Sequence, residues 1–272
     1  MTTLAGGFGG LGIFAGVDDI AERHLGIADI GTSQPRFRHL SAARRLSGRR
    51  PRDFDAAVLI EEVLALLEAK WRASIPARTP SVQNWRFEKQ LWIAPHNTSG
   101  EKTLEKAIAR VSGDAWANQV PTASGLINGS NDKHRNLDLV FRRQAGGFEL
   151  IELKYRSDTP LFAAVEALLY GVLYLFSQLH YPRGSIAQGY LLDAPTAHLQ
   201  VLAPAEYYLG YNFDWLQTEI TRGLERVVAD RRNFPATMDF AFTTFPAKFT
   251  WPCPDDTLRL ALENRQPAVW SA

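Results

Sequence analysis

Two carboxylates and one lysine lie in neighbouring apolar segments of the chain: Asp138 in the first, and Glu152 and Lys154 in the second. Side chains two residues apart in a strand share one face of a sheet, so Glu152 and Lys154 project together. A hairpin folded about Gly146 would bring Asp138 to the same side, since positions 138 and 154 are equidistant from it. The pattern predicts a cluster of two carboxylates and one ammonium on one sheet face.

A divalent cation is the natural partner of such a pair of carboxylates. Two close carboxylates repel unless a cation lies between them, and their hard oxygen atoms suit Mg²⁺ or Mn²⁺. Such a metal ion lowers the pKa of a bound water molecule and polarises a phosphate group. Lys154 would position or deprotonate the attacking water, or neutralise the charge that grows on the phosphorus centre. These are the requirements of phosphodiester hydrolysis.

The same residues resemble the signature of the PD-(D/E)xK nuclease superfamily, over roughly residues 100–192. The resemblance implies that Asp138 and Glu152 are metal ligands, that the Leu153 carbonyl is a further ligand, and that Lys154 is the catalytic lysine. The leading proline of the signature is replaced here by Leu137.

Further site residues follow from this resemblance. A glutamate on the preceding helix would be Glu101 or Glu105; a helical wheel places Glu101 nearer the apolar stripe, and the choice stays open. Gln119 resembles a glutamine often found on the first strand of the family. Glu166 and Tyr170, four residues apart on a later apolar helix, resemble its Gln-x-x-x-Tyr motif, with Glu in place of Gln.

Hydrophobic periodicity predicts the elements that must hold these residues. Helices are predicted over 53–73, 100–111, 161–179 and 213–232. Strands are predicted over 115–124, 137–143, 148–155, 185–193, 198–203 and 237–245. Asp53 or Asp55 would cap the first helix, and Ser99 the second.

This order predicts a mixed α/β fold, with a mixed central β-sheet flanked by helices and at least one parallel strand pair. The resemblance implies that the core is restriction-endonuclease-like. We expect an Arg-rich and helical N-terminal extension over residues 1–98, and the nuclease core with a C-terminal helix and strands over 99–272.

Charge is balanced overall but locally concentrated. The 272 residues are 46% hydrophobic and carry a formal net charge of +1, which excludes nucleic-acid binding by bulk charge. Residues 36–52, however, contain seven arginines and no acidic residue. This segment either contacts a phosphate backbone or packs as an arm on the acidic remainder, and both interpretations stay open.

Other signals favour a reducing, non-membrane setting. The single cysteine, Cys253, excludes an intrachain disulfide and a cysteine-based zinc site. The apolar stretch 160–181 is interrupted by polar residues and predicts a buried helix rather than a membrane span. The N-terminus does not resemble a secretory signal, and the Gly-x-Gly-x-x-Gly string at 7–12 has no room for a preceding strand, so it is read as a tail. We predict a cytoplasmic protein.

The predicted function is metal-dependent hydrolysis of DNA phosphodiesters, with Mg²⁺ or Mn²⁺ as cofactor and DNA as partner; RNA and a homodimer are left open. One alternative is a nucleic-acid-binding or scaffold protein that keeps the fold without turnover. Another is a metal hydrolase of smaller phosphoesters, which a narrow pocket without a basic groove would favour.

Overall fold

The structure is a computed structural model, and it describes residues 12–31, 33–74, 81–91, 99–127, 135–181, 191–231, 234 and 237–270. The Gly-rich residues 1–11, most of the turn or open loop that the sequence predicts over 128–136, and most of the predicted strand at 185–193 lie outside these ranges.

Six strands form one mixed sheet whose spatial order follows the chain. They are β1 (Trp116–Pro121), β2 (Asn136–Arg142), β3 (Phe148–Leu153), β4 (Thr196–Ala203), β5 (Thr237–Thr244) and the short β6 (Gln266–Pro267). The β1–β2, β2–β3 and β5–β6 pairs are antiparallel, whereas β3–β4 and β4–β5 are parallel. Parallel neighbours need a long crossover, and a helix fills each of the two connections.

Seven α-helices surround the sheet in the described part of the chain. They are α1 (Val17–His24), α2 (Leu40–Leu46), α3 (Ala56–Ala73), α4 (Gly100–Val111), α5 (Pro160–His180), α6 (Asp214–Ala229) and α7 (Asp255–Glu263). Side chains that accept hydrogen bonds from the first turn begin three of them: Asp55 caps α3, Ser99 caps α4 and Thr159 caps α5. The predicted caps Asp55 and Ser99 are confirmed, and they satisfy backbone amides that a helix leaves unpaired.

The helices cover both faces of the sheet. On one face, α3, α5 and α6 pack with α1 and α2 in the larger hydrophobic core, which includes Val140 and Leu150 of the central strands. On the other face, α4 and α7 pack in a smaller core that includes Leu139 and Ile151. The mixed α/β architecture with a helix-flanked mixed sheet is therefore confirmed.

Helix α5 is the central helix of the larger core. It is long and apolar enough to cross a membrane, but 94% of its most apolar window is buried inside the fold. Gly171 allows it to lie close to β4, since an added Cβ would come within 2.4 Å of Leu199 Cδ1. The prediction of a buried helix is confirmed.

Three details differ from the sequence-based expectations. The β2–β3 hairpin is centred on residue 145, not Gly146, because Arg142 pairs with Phe148 and residues 143–147 form the loop. Residues 191–193 form a 3₁₀ turn instead of the end of a strand. The Gly-rich composition of residues 1–16 predicts a loose tail or an irregular lead-in, but Ile13 and Phe14 are buried in the core.

The Arg-rich segment is folded onto the rest of the molecule. A 3₁₀ turn at Arg36–Arg38 leads into α2. Four of its arginines are ion-paired with acidic residues elsewhere in the chain: Arg36 with Glu22, Arg38 with Asp158, Arg45 with Asp29, and Arg50 with Glu219. For these four arginines, packing against acidic residues is the arrangement observed.

Candidate active site

Asp138 and Glu152 lie on adjacent antiparallel strands near the carboxyl end of β3. The register pairs Leu139 with Ile151, and one further step along it places Asp138 opposite Glu152. Both carboxylates are buried. One oxygen of Asp138 accepts a hydrogen bond from the Leu153 backbone N–H, at 3.1 Å. This contact fixes the Asp138 carboxylate against the end of the neighbouring strand.

Lys154 follows β3 directly and is 4% exposed. Its Nζ donates to Glu152 at 2.8 Å and to Glu166, on α5, at 2.6 Å. Burial acts to lower the pKa of Lys154, but the carboxylates of Glu152 and Glu166 outweigh it and raise that pKa well above its ordinary value. Lys154 is therefore a fixed ammonium ion in this arrangement.

Helix α4 brings a second ammonium from the other face of the sheet. Lys102 Nζ lies 2.6 Å from Glu105 and 3.1 Å from the second oxygen of Asp138. Sequence reasoning missed Lys102, although its spacing of three residues from Glu105 was a usable signal. It joins the helix to the strand that carries Asp138.

The two candidate glutamates of α4 occupy different positions. Glu105 is buried, contacts Lys102, and accepts a hydrogen bond from Asn118 at 3.3 Å. Glu101 accepts from the Ser157 hydroxyl at 2.6 Å and from the Tyr155 N–H at 3.3 Å. Both residues thus border the cluster, Glu105 on the Asp138 side and Glu101 beside the segment that follows Lys154.

Of the described residues of β1, Asn118 is the one that donates a hydrogen bond to the cluster, at Glu105. The neighbouring Gln119 does not. Asn118 is fully buried and also pairs with the backbone of Gln90. Gln119 is half-buried and has a positive φ of 49°, at the point where β1 passes Asp138 in the register. The sequence resemblance pointed to Gln119, one residue away.

Two residues of α5 also border the cluster. Glu166 binds Lys154 as described, and Tyr170, one turn further on, is buried and donates its hydroxyl to the Asn136 carbonyl at 3.0 Å. Burial raises the pKa of Tyr170 well above its ordinary value, and the negative charges of Glu152 and Glu166 add to the effect. Tyr170 is therefore a neutral hydrogen-bond donor that ties α5 to the start of β2.

The carboxylates outnumber the ammonium groups. Burial is the largest cause that raises the pKa of Glu101, Glu152 and Glu166 above ordinary values, and the charge of Asp138 raises each further. Burial and Asp138 together raise the pKa of Glu105 to about 7. A cluster of five carboxyl groups with two lysines is thus short of positive charge, which is the electrostatic condition that favours cation binding.

The donor set fits a hard divalent cation. Asp138 and Glu152 offer carboxylate oxygens on adjacent strands, and Glu105 offers another from α4, as Mg²⁺ and Mn²⁺ prefer. Within the described part of the chain, no group of three or more His, Cys, Asp or Glu side chains is already arranged at metal-binding spacing. In the present arrangement, lysine Nζ atoms lie among the carboxylates instead.

Arg38 brings the Arg-rich segment to the edge of the cluster. Its guanidinium carbon lies 5.2 Å from the centre of the Phe162 ring, and Lys154 Nζ lies 5.4 Å from the same centre. Arg38 also pairs with Asp158, which precedes α5. A residue from the first fifth of the chain therefore borders the proposed catalytic lysine.

No protein-family model matches the chain, and searches of curated proteins and of solved structures returned no significant match.

Proposed function

We propose that this protein is a metal-dependent nuclease of the PD-(D/E)xK type that hydrolyses DNA phosphodiester bonds. One observation carries the proposal: Asp138, Glu152 and Lys154 meet at the end of β3, and α4 and α5 add three more carboxylates. The mixed sheet with helices on both faces supports a restriction-endonuclease-like core.

In this proposal Asp138 and Glu152 hold the metal ion, with Glu105 as a further oxygen donor. A bound Mg²⁺ or Mn²⁺ would supply a water molecule of lowered pKa and a positive charge beside the phosphate. Lys154, held between Glu152 and Glu166, provides a positive charge for the phosphate in the transition state and orients the attacking water. Arg38, which borders the cluster, and the exposed Arg156 would contact neighbouring phosphates of the strand.

The test is cleavage of circular and linear DNA, in single- and double-stranded forms, with Mg²⁺ or Mn²⁺. We expect the wild-type chain to cut, and Asp138→Asn and Lys154→Met to lose at least about a hundredfold in rate, as removal of one electrostatic catalytic group does. Circular DNA separates endonuclease from exonuclease activity. RNA of the same sequence tests the other nucleic acid.

The matched controls are Asp256→Asn and Lys70→Met, which change the same residue types outside the cluster; Asp256 is 89% exposed. Because loss of Lys154 leaves two carboxylates without their partner, circular dichroism must show that each variant is folded. Full activity in a folded Asp138→Asn variant would exclude the assignment.

One observation favours a second candidate, a nucleic-acid-binding scaffold of the same fold. Lys154 and Lys102 already neutralise carboxylates, and the described residues hold no preformed metal group. DNA binding that is unchanged by Mg²⁺ and by Lys154→Met, without cleavage under either metal, would establish this alternative.

A further inference from the structure

A pocket of about 230 Å³ adjoins the carboxylate–lysine cluster. It lies where three neighbouring parallel strands end: residues 155–156 follow β3, residues 204–207 follow β4, and residues 249–250 lie beyond β5. The carboxyl ends of parallel strands are the side of an α/β sheet on which ligands bind.

The walls of the pocket are flat and apolar, whereas its rim is charged. Tyr155, Tyr207, Phe249 and Pro204 form the walls. Arg156 and Glu206 line it as exposed residues. Its volume lies below the 300–1,000 Å³ or so that drug-sized ligands occupy. The pocket therefore suits one planar ring system, with a negative group on the side of Arg156.

Two of the wall residues connect the pocket to the cluster. Tyr155 follows Lys154, and its N–H donates to Glu101. The Tyr155 ring lies against the start of α4, where only a glycine leaves room: a Cβ at Gly100 would be 2.8 Å from Tyr155 Cδ1. The buried hydroxyl of Tyr207 lies in the electrostatic field of Lys154 and Glu166, and has no hydrogen-bond partner among the described residues.

We propose that this pocket binds one unpaired nucleobase of the substrate strand, beside the phosphodiester at Lys154. The base stacks on the aromatic ring of Tyr207, because every base has a flat π-face. The Tyr155 ring, over which the Arg156 guanidinium lies at 5.3 Å from the ring centre, forms the side of the pocket. Arg156 contacts its phosphate. The inference rests on the proposed nuclease function and deepens it, since the substrate must then be single-stranded, or locally unpaired, at the position that is cut.

The test measures binding without turnover. The deoxynucleoside 5′-monophosphate of 2-aminopurine, a base whose fluorescence changes on stacking, is titrated into the full chain in EDTA. We expect saturable binding that Tyr207→Ala weakens by roughly fivefold to a hundredfold, the range that loss of one stacking ring gives. Arg156→Ala should weaken it severalfold and reduce its dependence on salt.

Two variants serve as controls. Tyr207→Phe keeps the ring and should retain the fluorescence change, and Leu209→Ala removes an exposed side chain two residues away without touching the pocket. Arg156 is exposed, so Arg156→Ala tests the pocket even if Tyr207→Ala does not fold. Equal affinity in the wild type, Tyr207→Ala and Arg156→Ala would overturn the proposal, as would the absence of saturable binding.

The two proposals fail in distinguishable ways. Binding that depends on Tyr207 and Arg156, without cleavage of any substrate, would support the pocket and refute the nuclease. Cleavage that proceeds equally on fully paired DNA and in the Tyr207→Ala variant would support the nuclease and refute the pocket as a base-binding site.

Discussion

At the scale of single residues, the candidate site depends on two lysines that each lie between two carboxyl groups. Lys154 lies between Glu152 and Glu166, and Lys102 between Glu105 and Asp138. An ammonium between two carboxylates occupies the kind of position that a divalent cation would take. Lys102 and a bound metal ion should therefore compete for Asp138 and Glu105.

The variant Lys102→Met tests this competition. In EDTA it should lower the free energy of unfolding by about 1–3 kcal/mol, because buried carboxylates lose their positive partner. The loss is moderate because Lys102 is itself partly exposed to solvent. Adding Mg²⁺ or Mn²⁺ should then raise the melting temperature by more than in the wild type, since a ligand that binds the folded state more tightly stabilises it more. Thermal unfolding with and without metal measures both effects.

Lys106→Met, on the same helix, is the matched control for this prediction. A Lys102→Met variant that gains no more stability from metal than the control would contradict the competition between Lys102 and the cation.

At the scale of elements, the site depends on how closely the helices approach the sheet. Helix α5 carries Glu166 and Tyr170 and lies against β4 and β5 at Gly171, where a Cβ would meet Leu199 at 2.4 Å and Met238 at 3.1 Å. Because these side chains lie inside a close-packed core, an added methyl group would force either them or the helix to shift.

Gly171→Ala should lower the free energy of unfolding by about 1–3 kcal/mol through overpacking, offset in part by the higher helix propensity of alanine, about 1 kcal/mol. Urea denaturation measures the difference. Gly113→Ala is the control, since nothing lies within 4 Å of a Cβ there. Equal stabilities for the two variants would show that α5 accepts a methyl group at position 171 without overpacking.

Most of the elements could be predicted from the sequence, because hydrophobic periodicity and capping residues are local signals. The bounds of α4 and its cap at Ser99 agree with the prediction. The hairpin centre lies at residue 145 instead of Gly146, so the strand partner of Asp138 moves by two residues and the same face of the strand is kept. The loop, which contains Gly146 and Gly147 with positive φ, decides which residues pair. Helix α1 was not predicted, and neither was α2 within the Arg-rich segment.

At the scale of the whole molecule, the N-terminal helices and the sheet share one core. Helix α3 packs on α5 and α6, and Trp71 of α3 lies against both Phe176 and His180 of α5, with ring centres 5.9 and 4.3 Å apart. Burial lowers the pKa of His180 below its ordinary value of 6.5, against the opposing charge of Glu68. The lowered pKa therefore favours the neutral form of His180 in the folded state.

This pKa predicts how stability changes with pH. Below pH 6.5 the unfolded chain binds a proton at His180 that the folded state resists, so the stability contributed by this residue is lost as the pH falls towards the lowered pKa. His180→Leu should remove that part of the decline while it preserves apolar packing between α3 and α5. Urea denaturation from pH 7.5 to 5 compares the slopes, and identical slopes in wild type and variant would contradict the prediction.

The sequence by itself determined the α/β class, most of the helices and strands, and the pair of strands that carries Asp138 and Glu-x-Lys, because these depend on residues close together in the chain. Only the tertiary structure decided which distant side chains join them. Lys102, Asn118, Arg38 and Tyr207 reach the cluster from α4, β1, the Arg-rich segment and the end of β4. No local pattern encodes such contacts, since they arise from the packing of helices and loops against the sheet.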